Sequence, residues 1–181
     1  MILRLTTELG RKIGVTPQQR LPADPNPFAD WSVRVFRVDR HPYVIVTNTA
    51  SLYSMLMPGE GIKGEAAFLS RLKGTMERFL KEDGLAAVFE EFVAPSASRI
   101  LYSKALDRGV TGSMNDCVKS AEWGLLEMGM SLDDISRQLN GTPSTYIRLD
   151  STHEFPQRNF RRLYNQLSGA GIGQSPTEEE R

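Results

Sequence analysis

The sequence predicts a single α+β domain, an antiparallel sheet built around residues 31–57 with several amphipathic helices packed on it. Three observations predict it. Residues 31–57 hold β-branched runs separated by turn signals, and residues 63–93 and 113–128 repeat apolar side chains at helical spacing. A chain of 181 residues, 40% hydrophobic and 24% charged, is long enough and apolar enough for one substantial core.

Residues 2–6 read as a short strand and residues 7–13 as a helical turn or two ending at Gly14. Residues 16–30 hold Pro22, Pro25 and Pro27 without an apolar period, the pattern of an arm over the surface. Residues 31–38 and 43–47 flank the turn-forming Asp39-Arg40-His41-Pro42, and residues 51–57 add a third strand closed by Pro58-Gly59.

Helical spacing returns with Phe68, Leu69, Leu72, Met76, Phe79 and Leu80. After Gly84 it continues with Leu85, Val88, Phe89, Phe92 and Val93, a helix expected to stop before Pro95. Residues 99–105 form a strand-like run. A third helix carries Met114, Cys117, Val118, Ala121, Leu125 and Met128 on one stripe and ends at Gly129. Trp123 points away from that stripe, so either a chain segment covers it, the proline-rich arm or the C-terminal helix being the expected one, or it is available to a partner. Ser131 caps a short helix with Leu132, Ile135 and Leu139 as its buried side. A last helix follows Pro156, with Phe160, Leu163, Tyr164 and Leu167 on one face. The domain is therefore residues 1–167, with a Gly, Ser, Pro and Glu tail over 168–181.

Acidic and basic residues balance at 22 each, which argues against nucleic acid and against an anionic membrane surface. The single cysteine, Cys117, excludes an internal disulfide and fits a reducing compartment. No stretch approaches a membrane span, so a cytoplasmic chain is expected. Residues 132–145 superficially match a helix-turn-helix. Thr145, Ile147 and Leu149 alternate like a strand, however, and leave no recognition helix.

The densest chemistry lies in Asp107-Arg108-Gly109-Val110-Thr111-Gly112-Ser113-Met114-Asn115-Asp116. Ser113 with Asp116 three residues on reads as an N-cap. Arg108, Asn115 and the free N–H groups of that turn add the capacity to hold a polar ligand. The Asp116 charge disfavours a highly charged anion there, so a neutral polar ligand or a peptide is the better fit. Asn48-Thr49-Ala50-Ser51 interrupts the strands as a bulge or turn would, making Asn48, Ser51 and Tyr53 a second candidate wall for the same pocket.

Two histidines, His41 and His153, give no convincing triad with Ser113, and no zinc-ligand spacing is present. The expected function is a non-enzymatic binding or interaction domain for a small polar ligand or a protein partner, with no cofactor, no resident metal and homo-oligomerisation left open. The alternative is a metal-dependent hydrolase or nuclease using Asp39, Asp107 and Asp116 with Ser113, since hard cations need only oxygen ligands.

Several segments together resemble an uncharacterised bacterial family of domains of unknown function. They are residues 1–15, Asn26-Pro27-Phe28 leading to Trp31, Asp39-Arg40 before Tyr43, Thr47-Asn48-Thr49-Ala50-Ser51-Leu52-Tyr53, Gly112-Ser113-Met114-Asn115-Asp116, and Leu139-Asn140-Gly141-Thr142-Pro143. The resemblance runs to about Pro156. It implies a shared single domain and no reaction, and it transfers no catalytic residue.

Overall fold

The computed structural model describes residues 1–106, 108–144 and 155–169. Five strands, β1 (Ile2–Leu5), β2 (Asp30–Val38), β3 (His41–Asn48), β4 (Ser54–Pro58) and β5 (Leu101–Ser103), form one sheet in the order β4-β3-β2-β1-β5. The expected meander is β2 to β4, antiparallel throughout, and its first turn carries Asp39 and Arg40 at φ 46° and 71°. The sheet as a whole is mixed, not antiparallel, because β1 pairs parallel with both β2 and β5. Parallel pairing needs a crossover between partners, and here α1 (Thr7–Ile13) with the arm supplies one and most of the domain supplies the other.

Strand alternation gives the sheet two unlike faces. Leu3, Leu5, Trp31, Val33, Val35, Val44, Val46, Met55 and Met57 point to one side. There they pack with Leu9 and Ile13 of α1, with α2 (Glu65–Glu82), and with Phe160 of the last helix. On that side Tyr53 stacks on Phe160 with centroids 4.4 Å apart, and Phe28 meets the same ring edge-on at 4.8 Å. The opposite side buries a smaller cluster. Phe36, Val38, Ile45 and Leu56 there meet Val110, Met114 and Val118 of α5 (Arg108–Leu126) and Ile135 and Leu139 of α6 (Leu132–Asn140).

The helical segment after Gly84 passes through Pro95 rather than stopping before it. Residues Ala86–Val88 (α3) run into a π turn at Phe89–Val93 and on into α4 (Ala94–Ser96). Pro95 is the second residue of α4, and proline is tolerated in the first turn of a helix, where its missing N–H costs little. Ser131 caps α6 by accepting from the Asp134 N–H as expected, and α7 (Pro156–Leu167) begins at its proline. Gly129 adopts φ 58° just beyond α5 and turns the chain. Trp123 is 53% exposed, so the cover expected from the arm or the last helix is not formed. The strand-like pattern at Thr145, Ile147 and Leu149, His153, and all but the first two residues of the tail lie outside the described residues.

β4 is an edge strand, and α6 closes it. Asn140 accepts from the Ser54 N–H at 2.7 Å and donates to the Ser54 carbonyl at 2.9 Å, while the Leu56 N–H donates to Ser136 Oγ at 3.0 Å. Two polar residues four apart on a helix thus take three backbone groups of this edge, and α6 covers it against a foreign strand.

Candidate functional site

On the face covered by α5 and α6, the register aligns Ser103, Arg4, Ser32, Thr47 and Ser54 in one row across all five strands, and every one is buried. Burial of so many polar groups requires that each be paired. Thr47 and Ser54 share a hydroxyl bond of 2.9 Å, and Ser32 bonds Thr49 at 3.0 Å. Arg4 is the hub. It donates in fork fashion to Asp30, Nε to Oδ1 at 2.7 Å and Nη2 to Oδ2 at 2.6 Å, and to Ser103 Oγ at 3.1 Å.

The remaining Arg4 donors fix two stretches of backbone. Nη1 and Nη2 reach the Leu21 and Pro22 carbonyls, both at 2.9 Å, and Nη1 reaches the Lys104 carbonyl at 3.5 Å. The Leu21 N–H donates to Ser103 Oγ at 3.0 Å, and the Lys104 N–H donates to the Gln19 carbonyl at 3.1 Å. The arm and the segment after β5 are therefore held to one buried cation.

Those two stretches wall a crevice beyond the carboxyl ends of β1 and β5. The two strands are parallel neighbours, yet α1 leaves β1 for the apolar face while α5 leaves β5 for the polar face. Adjacent parallel strands whose connections diverge leave a gap at their carboxyl ends, the place where open sheets bind ligands. Here the gap holds two hollows that share Ala105. One, of about 550 Å³, is bounded by Arg20, Leu106, Arg108, Thr111, Gly112 and Asn115. The other, of about 630 Å³, is bounded by residues including Thr6, Arg11, Gln18 and Lys104. Their described walls carry four cations, Arg11, Arg20, Lys104 and Arg108, and no carboxylate.

The 108–116 segment does border this crevice, through Arg108 and Asn115, but not as a helix start at Ser113. α5 begins five residues earlier, so Ser113 lies in its second turn and caps nothing. Val110 and Met114, buried at i and i+4, tie those first turns to the core and outweigh the helix cost of Gly109 and Gly112. Asn115 accepts from Arg34 of β2. Asp116 faces outward beside Lys119 at 3.4 Å and does not line either hollow.

Asn48, Ser51 and Tyr53 do not line the crevice either. Asn48 Oδ1 accepts from the Ser51 N–H and hydroxyl, and its amide donates to the Pro27 and Asp30 carbonyls at 2.7 and 3.3 Å. That closed set holds the turn in which Leu52 adopts φ 61°. Tyr53 points to the apolar face and donates to Asp83 Oδ2 at 2.6 Å; burial, with that carboxylate, pushes its phenol well above the usual range.

Asp39 lies in the β2–β3 turn and Asp107 lies outside the described residues, among which no group of three or more His, Cys, Asp or Glu side chains is placed to hold a metal ion. No helix among them is long and apolar enough to cross a membrane.

Sequence reasoning missed Arg4, Asp30, Arg20, Lys104 and Arg34. The available signal was Arg4 itself, a charge in the middle of the apolar run Ile2-Leu3-Arg4-Leu5, since a buried strand tolerates a cation only with a partner. A family profile described as Domain of unknown function (DUF6933) matches residues 2–159. No curated protein and no solved structure matches the chain.

Proposed function

The chain belongs to this family of unknown function, which brings no reaction with it, and we propose that it is a non-enzymatic, cytoplasmic binding domain whose crevice at the ends of β1 and β5 takes a small anionic ligand. The observation that carries this reading is the divergence of α1 and α5 from adjacent parallel strands, which opens a crevice lined by four cations. Guanidinium groups at Arg20 and Arg108 suit a carboxylate or phosphate, which they meet with paired donors. Thr111 and Asn115 add hydroxyl and amide groups for orientation. Asp116 lies outside the lining, so its charge no longer argues for a neutral ligand. Gly112 supports the same reading, because a Cβ built there would meet only open space. The described lining offers groups that bind and orient and no paired base and nucleophile, which favours binding over catalysis.

Thermal denaturation with inorganic phosphate, succinate and uncharged glucose tests this. An anion that fits raises Tm in the wild type, glucose does not, and the double variant Arg20→Ala/Arg108→Ala loses the rise. If neither anion moves Tm, or the rise persists in the double variant, the reading fails.

A further inference from the structure

The structure leaves five large apolar side chains exposed among the described residues, and three of them gather at the end of α5: Trp123 at 53%, Leu126 at 51% and Met128 at 57%. A tryptophan so exposed beside two other apolar side chains marks an interaction surface more often than a chance exposure. The charges around it decide what covers it. At 100° per residue, Asp116, Lys119, Ser120, Trp123 and Leu126 fall on one outward stripe of α5, and Glu127, one residue past its end with its N–H still donating to the Trp123 carbonyl at 2.9 Å, continues it, so that Lys119 lies four residues before Trp123 and Glu127 four residues after. With a rise of about 1.5 Å per residue, the cation and the anion lie about 6 Å either side of the indole along the axis.

We propose that the occupant of this patch is a second copy of the same chain, docked with its α5 antiparallel about a two-fold axis at Trp123. Such an axis sets Lys119 of each copy against Glu127 of the other and Trp123 against Trp123. An opposite-charge pair placed symmetrically about a central aromatic residue is complementary to itself, which is what an isologous contact requires and a different partner does not. The only ion pair that Lys119 makes within the described chain is with Asp116, where both side chains are more than three-quarters exposed, so little is lost when it turns to the partner. The chain's formal net charge of zero adds no long-range repulsion between copies.

Sedimentation velocity over a concentration series tests the proposal, with circular dichroism confirming that each variant folds. Wild type is expected to dimerise and Trp123→Glu to remain monomeric. Because every interfacial charge acts twice across a two-fold axis, Lys119→Glu alone and Glu127→Lys alone should each weaken the dimer by about tenfold or more. The double variant Lys119→Glu/Glu127→Lys should restore it. A wild type that stays monomeric up to its solubility limit overturns the proposal. So does a dimer that survives Trp123→Glu, or one that the double swap fails to restore.

Discussion

On the apolar face of the sheet, Leu3, Trp31, Val46 and Met55 meet their helices almost wholly through carbon, whereas on the opposite face the same strands present Ser103, Arg4, Ser32, Thr47 and Ser54 in one buried row. The first face gains stability from area removed from water and tolerates changes that conserve volume. The second gains little net energy from its hydrogen bonds but loses heavily when one partner is removed, because the other is then stranded in low dielectric. The two faces therefore do different structural work. The apolar face fixes the domain, and the polar face holds two backbone walls at fixed separation around a crevice.

The largest effect should come from the hub. Arg4→Met keeps much of the side chain's length but leaves the Asp30 carboxylate buried and unpaired, a loss of about 3–5 kcal/mol in chemical denaturation. A loss below about 1 kcal/mol would mean that the polar face is wet. Asn140→Leu strands the Ser54 N–H and C=O and should cost roughly 2–3 kcal/mol. Met55→Leu, equally buried on the other face, should cost under about 1.5 kcal/mol. Equal costs for the two would erase the contrast.

Gly112→Ala should reverse the sign. With nothing within 4 Å to meet the added Cβ, alanine at this helical position favours the fold by about 0.5–1 kcal/mol, yet its methyl group enters the crevice, so stability should rise while the anion-induced gain in Tm shrinks. The effect of Cys117 shows only at high pH. Burial, with the nearby Asp116 charge, pushes its thiol from 9.0 up to about 11. Between those values the folded chain keeps a proton that the unfolded chain has lost, so this contribution is full below pH 9 and declines as pH rises towards 11. Urea titrations of wild type and Cys117→Ala from pH 8 to 11 should differ by that decline.

Elements with strong local patterns were legible in the sequence. The β2–β4 meander, α2, the Ser131 cap of α6 and the stop at Gly129 all follow from alternation, helical spacing and turn residues close by. Long-range pairing was not. Nothing in Ile2–Leu5 or Leu101–Ser103 announces that these runs lie parallel and adjacent, and that pairing turns an antiparallel sheet into a mixed one. The crevice was hidden for the same reason, because its walls come from positions nearly ninety residues apart. Arg108 and Asn115 were legible as polar groups near a helix start. Asn48, Ser51 and Tyr53 also read as polar groups at an interruption of the strands, but the fold places them away from the crevice, Asn48 and Ser51 in a closed set of hydrogen bonds and Tyr53 on the apolar face.

The proposed ligand site is the crevice at the ends of β1 and β5. A phosphate titration followed by 1H–15N NMR tests it most directly. Saturable shifts concentrated at Arg20, Ala105, Arg108, Thr111, Gly112 and Asn115 are expected. Shifts scattered over the surface, centred on Asn48, Ser51 and Tyr53, or absent at saturating phosphate would contradict it.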